Sequence, residues 1–290
     1  MTTINQKNAH KRDALIEFEP EAHKYTCAGE GGYTSVTTWL HSLFKPFDAE
    51  AIIAKMMSNP VRWKKSPYYG KSPAEIKAGW DKGRDEAAAL GTAMHKKIED
   101  YYLGLTPLEE TPSHFQAFVQ DFPDLIPYRT EWMIFDEEVK LAGSIDLVGG
   151  GNPPDPPIEG ADYPSLERMS SIISSSQSPS LPSRGGPGGT APCIYDWKRC
   201  KDIKKKNDFG ESALPECIEH LPDTNFWHYA LQLNIYKAIL ERNYAQTIGG
   251  MYLVILHPSQ VSYQRLEVPD LSTEIADLFK LREQQLKNKI

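Results

Sequence analysis

The stretch Cys193-Ile-Tyr-Asp-Trp-Lys198 decides the fold, because its apolar and aromatic residues predict a buried strand that also carries two charges. Asp196 and Lys198 are two positions apart, so they share one face of that strand. A second apolar run, Val139 to Val148, contains Asp146. If the two runs pair as neighbouring strands, their carboxylates meet and repel each other unless a cation lies between them. The sequence therefore predicts a site for a divalent ion such as Mg²⁺, which takes carboxylate oxygens, waters and substrate phosphate.

Two predicted helices complete this cluster of polar residues. The first is rich in Ala, Leu, Glu and Lys, which favour helix, and it carries His95 and Glu99 one turn apart. The second runs from Trp227 to Glu241 and places Gln232 and Tyr236 at positions i and i+4, on one face. That face can present a pair of hydrogen-bonding groups to a phosphate.

A helix His, a Gly-x-x-Asp, an Asp-x-Lys and a Gln-x-x-x-Tyr follow one another in this order along the chain. In this the chain resembles the PD-(D/E)XK nuclease superfamily, particularly its RecB-like branch. The resemblance extends to the mitochondrial genome maintenance exonucleases and their viral and phage relatives, through Ser35–Thr37, Gly91–His95 and Gly249–Ile255. It covers most of residues 17 to 266.

The resemblance implies an α/β fold with a restriction-endonuclease-like core, in which helices flank a central mixed sheet, and with a helical N-terminal extension. It implies four ligands of Mg²⁺ or Mn²⁺: His95, Asp146, Asp196 and the backbone carbonyl of Trp197. It implies five catalytic or supporting residues: Asp146, Asp196, Lys198, Gln232 and Tyr236. Glu131 corresponds to a glutamate on the family's first strand, and Glu99 is a further acidic candidate beside His95.

The function implied by the resemblance is a metal-dependent DNA nuclease that hydrolyses phosphodiester bonds. Its nearest form is an exonuclease that acts on single-stranded DNA ends in replication, repair or recombination. Two alternatives remain open. One is a structure-specific endonuclease or resolvase on the same fold, and the other is a non-catalytic nucleic-acid-binding module.

DNA binding needs a local basic track even though the chain has a net charge of −7. Seven residues are candidate DNA contacts: Ser35, Thr37, Arg199, Lys201, Lys204, Lys205 and Lys206. The alternative for the basic run is an ordinary solvated loop, and the alternative for the two hydroxyls is capping of a helix. The stretch from Arg62 to Lys71 is basic and aromatic, and two roles are open for it. It either contacts phosphates and stacks on the bases of a single strand, or its aromatic rings pack beneath a loop.

Composition indicates a globular chain that can bury one substantial core, since 40% of its 290 residues are hydrophobic. No apolar run approaches the ~20 residues needed to span a bilayer, and the polar start lacks the apolar core of a secretory signal. We therefore expect an intracellular protein without a membrane partner. Its compartment (nuclear, mitochondrial, cytoplasmic or viral) and its protein partners stay open.

Cysteine spacing distinguishes this chain from the iron–sulfur members of the same nuclease group, which hold their cluster with a close-spaced trio near the C-terminus. Cys27, Cys193, Cys200 and Cys217 contain no such trio and no C-x-x-C pair for zinc. The sequence predicts no iron–sulfur cluster, no structural zinc and free thiols.

The chain divides into a loose tail over residues 1–16, a hairpin and helical region near the DNA path over 17–71, and a nuclease core over 72–290. Residues 151–192 interrupt the core. Nine Pro, nine Ser and six Gly occupy these 42 positions, which predicts a disordered insert that cannot support a packed core.

The pattern of apolar residues predicts the elements of the core and of the region before it. Expected helices cover Thr37–Met57, residues 72–102 and Ser113–Phe122 besides the one at Trp227–Glu241, and a charged amphipathic helix is expected from Leu271. Expected strands are Tyr128–Phe135, Val139–Val148, Cys193–Lys198, Ile248–Leu256 and Gln260–Val268. A short hairpin is expected from Glu17–Thr26 and Gly32–Thr37.

Deletion of Asn152 to Thr190 is expected to preserve both folding and cleavage, because extra length at a hairpin tip costs little beyond loop-closure entropy. The melting temperature and the DNA cleavage rate of the shortened protein are measured beside those of the full chain. Loss of both in the shortened protein would show that the insert contributes to the fold.

Overall fold

The computed structural model describes residues 2–150, 191–207 and 209–288. In these ranges the chain has the expected α/β architecture, with helices on both sides of a mixed, six-stranded central sheet. The predicted insert lies outside the described residues except for Ala191 and Pro192, which lead into the strand that begins at Cys193. The prediction about positions 151–190 therefore stays a prediction.

In chain order, the helices of the described residues are α1 (Ile4–Lys7), α2 (Val36–Ser42), α3 (Ala49–Met57), α4 (Pro60–Trp63), α5 (Pro73–Tyr102), α6 (Ser113–Asp121), α7 (Asn225–Asn243) and α8 (Ser272–Lys287). The strands are β1 (Ile16–Glu19), β2 (Lys24–Cys27), β3 (Thr34–Ser35), β4 (Ile126–Asp136), β5 (Leu141–Gly150), β6 (Cys193–Lys198), β7 (Gly250–Ile255) and β8 (Gln264–Glu267). None of these described helices combines the length and the apolar character required to cross a bilayer.

The central sheet has the strand order β4-β5-β6-β7-β8. Neighbouring strands are antiparallel except β6 and β7, which are parallel because α7 lies between them in the chain and returns it to the same end of the sheet. The short strand β3 also pairs with β5, in parallel. Asp146 and Asp196 thus come from adjacent strands, as the sequence predicted.

β4 pairs with one edge of β5 along its whole length. The other edge of β5, which faces β6, therefore carries the two remaining partners of this strand. β3 pairs with Leu141 and Ala142, and β6 pairs with residues 147–149. Between these two partners, from Gly143 to Asp146, this edge of β5 has no ladder partner among the described strands. β3 and β6 therefore diverge along this edge of β5, and we call the point beside Asp146 where they separate the fork of the sheet.

Two helical layers cover the faces of the sheet. α2, α7 and α8 pack on one face, and α5 and α6 pack on the other. The period of two along β6 sends Ile194 to the first face and Trp197 to the second. Trp197 lies edge-to-face against Phe115 and Phe118 of α6, with ring centroids 5.4 and 5.3 Å apart. This buried aromatic contact holds the charged end of β6 in place.

The helix α5 begins where the sequence predicted, because Ser72 and Glu75 form a reciprocal capping box around Pro73. The predicted single helix over Thr37–Met57 is wrong. It is divided into α2 and α3, and Pro46, which cannot donate a helical hydrogen bond, lies in the segment between them.

The start of α2 decides between the two expected caps. Ser35 is the N-cap and accepts a hydrogen bond from Thr38 N at 3.1 Å, whereas Thr37 lies inside the first turn and is not a cap. The hairpin is formed by β1 and β2 alone, and residues Thr34–Ser35 instead join the central sheet as β3.

The loose tail expected over residues 1–16 differs from the structure, which orders residues 2–16 against β4. β4 pairs with β5 alone among the described strands, so its outer edge presents free backbone groups. Asn5 accepts from Thr130 N at 3.0 Å and donates to Thr130 O at 2.8 Å. Arg129 Nη1 donates to Asp13 at 2.7 Å. The polar side chains that suggested disorder are the groups that cover this edge.

Several strand limits differ from the predicted ones by a few residues. β5 begins at Leu141 because Lys140 has a positive φ of 48° in the turn before it. β4 extends over Ile126–Asp136, and β7 is shorter than Ile248–Leu256. The last strand covers Gln264–Glu267 rather than Gln260–Val268.

The substitution Asp13→Ala is expected to lower the free energy of unfolding by about 2–4 kcal/mol, because it leaves the guanidinium of Arg129 buried without its carboxylate partner. Asp13 also accepts from Trp132 Nε1 at 3.1 Å, and that bond is lost too. Urea denaturation measures the change. The exposed carboxylate of Glu17 supplies the control, since Glu17→Ala is expected to alter stability by less than about 0.5 kcal/mol. Equal stability of the two variants would contradict the docked N-terminus.

Candidate metal centre

Three side chains form a group that could hold a metal ion, and each comes from a different element. His95 lies on α5, Glu131 on β4 and Asp146 on β5, and one ligand atom of each lies within 4.8 Å of the others. His95 Nδ1 is 3.4 Å from Asp146 Oδ1 and 3.8 Å from Glu131 Oε1. One helix and one antiparallel strand pair therefore bring two carboxylates and an imidazole to one point.

Glu131 reaches this point through an unusual backbone conformation. It stands opposite Asp146 in the β4–β5 pair, between the register pairs Thr130↔Leu147 and Trp132↔Ile145. Its φ is +44°, a left-handed conformation that is strained for a residue with a side chain. Ser144 Oγ donates to Glu131 Oε2 at 2.9 Å and holds the carboxylate in this position. Backbone strain and a directed hydrogen bond thus aim Glu131 at the centre.

Asp146 lies at the fork of the sheet and closes it with its side chain. Its Oδ2 accepts from the backbone N–H of Trp197 at 2.7 Å, where β6 has moved away from β5. Oδ1 is thereby left to face His95. Burial would raise the pKa of Asp146, but the positive charges of His95 and Lys198 and the Trp197 N–H hold that pKa below its ordinary value. Asp146 is therefore ionised at neutral pH.

Asp196 and Lys198 form an ion pair beside the group of three. Lys198 Nζ is 2.7 Å from Asp196 Oδ2. The buried carboxylate of Asp196 is thereby paired with the ammonium of Lys198. Burial raises the pKa of Asp196 to about 6, and the charge of Asp146 adds to this, while Lys198 opposes it. Burial disfavours the charge of Lys198, but Asp196 and Asp146 raise the pKa of its ammonium above the ordinary value.

The charge of His95 completes the balance. The charge of Asp146 raises the pKa of His95 to about 11, against the opposing effect of burial. Burial also raises the pKa of Glu131, and His95 lowers it in part. With no metal bound, the imidazolium of His95 and the ammonium of Lys198 offset the clustered carboxylates. A bound metal ion would supply the positive charge that the imidazolium of His95 supplies in its absence.

The two α7 residues expected to support the centre lie next to the fork. Gln232 Nε2 donates to Tyr236 Oη at 3.2 Å, and both side chains are buried. The Tyr236 ring lies against Gly143, where an added Cβ would be 2.7 Å from Cε1 of that ring. Glycine at this position therefore lets the tyrosine ring pack closely against β5.

The structure agrees with the sequence-predicted ligand set only in part. His95 and Asp146 belong to the group of three, and Glu131 joins them, whereas Asp196 lies alongside in contact with Lys198. Glu99 is outside this group and pairs with Lys96 at 3.1 Å. The Trp197 carbonyl as a ligand stays a prediction.

Sequence reasoning missed Ser144 as the residue that holds Glu131. The signal was present, because Ser144 precedes Asp146 by two positions in a predicted strand and therefore shares its face. No local signal in the sequence marked the positive φ of Glu131.

The basic run after β6 forms an exposed loop that is anchored through its backbone. Asn225, at the start of α7, accepts from Lys204 N at 2.9 Å and donates to Asp202 O at 2.8 Å. Trp227 Nε1 donates to Lys205 O at 3.1 Å. Lys205 Nζ lies 4.4 Å from the centre of the Phe226 ring. The described residues offer no carboxylate partner within ion-pair distance to the following five cations: Arg199, Lys201, Lys204, Lys205 and Lys206. The loop is thus a local positive surface.

The two hydroxyls expected to contact DNA have different surroundings. Ser35 is buried and its Oγ donates to Thr38 Oγ1 at 2.7 Å in addition to its capping bond. Thr37 is exposed. Their role in DNA binding stays a prediction.

Comparison of the chain with protein-family models and with curated protein sequences gave no match. The chemistry of the site therefore rests on its own donor atoms. One imidazole nitrogen and carboxylate oxygens suit Mn²⁺, and the oxygens suit Mg²⁺. The expected absence of an iron–sulfur cluster and of structural zinc stays a prediction.

Binding of Mn²⁺ is expected to tighten as the pH rises from about 7 to about 9, because His95 must lose its proton before Nδ1 can coordinate the ion. The pKa of His95, raised to about 11, keeps the imidazole protonated over this whole range. Each bound ion then releases about one proton, and the affinity rises by up to about tenfold per pH unit. Calorimetry in buffers of different protonation enthalpy measures the release. His95→Gln is the control, with weaker binding and no proton from this position. An affinity independent of pH in the unaltered protein would contradict the assignment.

Proposed function

We propose that this protein is a metal-dependent nuclease of the PD-(D/E)XK kind that hydrolyses phosphodiester bonds of DNA. One observation carries the proposal. The group formed by His95, Glu131 and Asp146 lies beside the Asp196–Lys198 ion pair at the fork of the sheet. Carboxylates, an imidazole and a protonated amine in one place suit the binding of a cation and of a phosphate together.

The order of the elements supports the proposal. His95 lies on α5, Asp146 on β5, Asp196 with Lys198 on β6, and Gln232 with Tyr236 on α7. These are the helix, strand, strand and helix settings in which the resemblance places its four motifs. Each short motif by itself occurs often by chance and is weak support. The contacts between the four elements that carry the motifs give support that is independent of the sequence pattern.

The residues that would hold the ion are His95, Glu131 and Asp146, with Asp196 adjacent. When bound, Mg²⁺ or Mn²⁺ supplies positive charge beside the scissile phosphate and lowers the pKa of water. Hydrolysis adds the oxygen of water to phosphorus and breaks one phosphorus–oxygen ester bond, and the leaving oxygen gains a proton.

Lys198 acts in this proposal as a fixed positive charge rather than as a proton acceptor. The neighbouring carboxylates raise the pKa of its ammonium above the ordinary value, so it stays protonated at neutral pH. Its Nζ is also 4.6 Å from the centre of the Tyr229 ring, a cation–π contact that limits its movement. A positioned cation stabilises the negative charge that develops on the phosphate during attack.

DNA is the proposed partner because the exposed basic loop directly follows the Asp196–Lys198 strand. Its cations face solvent in a chain whose net charge is −7, so the positive charge is local to the proposed site. Single-stranded ends and exonuclease action follow from the sequence resemblance and form part of the proposal. Digestion of linear and circular single strands distinguishes an exonuclease from an endonuclease or resolvase, since circles have no ends.

The substitution Asp196→Asn is expected to reduce DNA cleavage at least about 100-fold, because it removes a negative charge from the cation site without changing the shape of the side chain. Binding of DNA is expected to remain within a few-fold of the unaltered protein. End-labelled single- and double-stranded DNA is incubated with Mg²⁺, Mn²⁺ or EDTA, and binding is measured separately in EDTA.

Asp124→Asn is the matched control, since it makes the same chemical change on an exposed side chain that precedes β4 and lies outside the basic loop and the group of three. It is expected to cleave at the unaltered rate. Metal-dependent cleavage that persists in the Asp196 variant would overturn the assigned site. Absence of cleavage and of DNA binding in the unaltered protein would overturn the proposed function itself.

A further inference from the structure

A pocket lies on a different face of α5 from the one that carries His95. It measures about 220 Å³ and lies between α5, the start of α6 and the segment after β7. Leu90, Ala93, Leu256 and Pro258 give it mostly apolar walls. Leu90 is 50% exposed, so the apolar surface is open to water. A ligand with an apolar surface could cover these walls.

The walls of this pocket include chain neighbours of two residues of the proposed site. Its wall residue Met94 precedes His95, and its wall residue Arg199 follows Lys198. The backbone N–H of Leu256 donates to the Lys198 carbonyl at 2.8 Å. The pocket and the proposed site are therefore linked through the backbone of α5 and of the end of β6.

Two cations of the pocket have no carboxylate within ion-pair distance among the described residues: Lys97 and Arg199. The neighbouring Lys96 takes both acidic groups of this part of α5, at 3.1 Å from Glu99 and 3.0 Å from Asp100. Lys97 is thereby left for an anion from outside the chain. The pocket thus combines apolar walls with positive charge at its rim.

We propose that this pocket receives the base of the nucleotide next to the scissile phosphate, while Lys97 and Arg199 contact the phosphates of that nucleotide. The inference rests on the proposed nuclease function and adds to it a subsite for the substrate. A base has two apolar faces and is joined to a phosphate, which matches apolar walls beside unpaired cations.

The size and lining of the pocket define which part of the strand fits. Its volume of about 220 Å³ is below the ~300–1,000 Å³ of pockets for drug-sized ligands, so it takes one small planar group. One of the few polar side chains that line the pocket already has a hydrogen-bond partner, since His114 Nε2–H donates to Gln260 O at 3.1 Å. Recognition by apolar contact and charge predicts weak preference among the four bases.

The test fills the pocket without touching the centre. Ala93 is exposed and lines the pocket, so Ala93→Phe occupies the space of the base and leaves both cations in place. Ala89→Phe is the matched control, because Ala89 is exposed on the same helix and does not line the pocket. Thermal melting of both variants confirms that each is folded. Leu90→Ser is an independent second variant that removes an apolar wall.

Binding is read with single strands that carry 2-aminopurine at one of the terminal positions, in EDTA so that no cleavage occurs. One position is expected to gain fluorescence on binding the unaltered protein, as its base leaves the stack of its neighbours. Ala93→Phe is expected to lose this gain and to bind about tenfold more weakly, which corresponds to ~1.4 kcal/mol. Leu90→Ser is expected to show a smaller loss, and Ala89→Phe none.

Cleavage kinetics give a second readout. Ala93→Phe is expected to raise the KM for single-stranded DNA by about tenfold, and Arg199→Ala to reduce the slope of log affinity against log salt by about one. Equal fluorescence and equal KM for Ala93→Phe and Ala89→Phe would overturn the pocket as a base site while leaving the nuclease standing. An unaltered protein that neither binds nor cleaves DNA would overturn both proposals.

Discussion

The repulsion between buried carboxylates is the constraint on which the rest of the structure depends. Glu131, Asp146 and Asp196 come together because β4, β5 and β6 are neighbours in the sheet, and each acid loses water as it is buried. His95 and Lys198 supply the compensating charge from opposite sides. Without such cations the acids would protonate or the strands would separate, so a helix and a strand outside the β4–β5 hairpin are needed to stabilise it.

The fork of the sheet is what gives these charges room. A continuous β5–β6 ladder would pair the backbone at Asp146, whereas in the structure the N–H of Trp197 turns to the carboxylate of Asp146. Tyr236 of α7 packs closely against Gly143 of β5. Both helical layers therefore meet at the fork, and the site is stabilised by the same apolar packing that stabilises the two faces of the sheet.

Surface charge follows a pattern that is opposite to that of the whole chain. The net charge is −7, yet the loop after β6 and the rim of the pocket beside α5 both carry cations without carboxylate partners among the described residues. Both surfaces adjoin the end of β6, because Arg199 begins the loop and also lines the pocket. Among the described residues, a local positive potential therefore lies beside the end of β6.

Relations inside a single element were readable from the sequence. The period of two placed Asp196 with Lys198, the spacing of four placed Gln232 with Tyr236, and Ser72-Pro73 marked the start of α5. Relations between elements were decided by the tertiary structure. They include the left-handed backbone that aims Glu131, the docking of Asn5 and Asp13 on β4, and the place of Asp196 outside the group of three. The physical reason is that periodicity reports which side chains share a face, whereas strand register, the fork and the burial of charge arise only when distant segments pack.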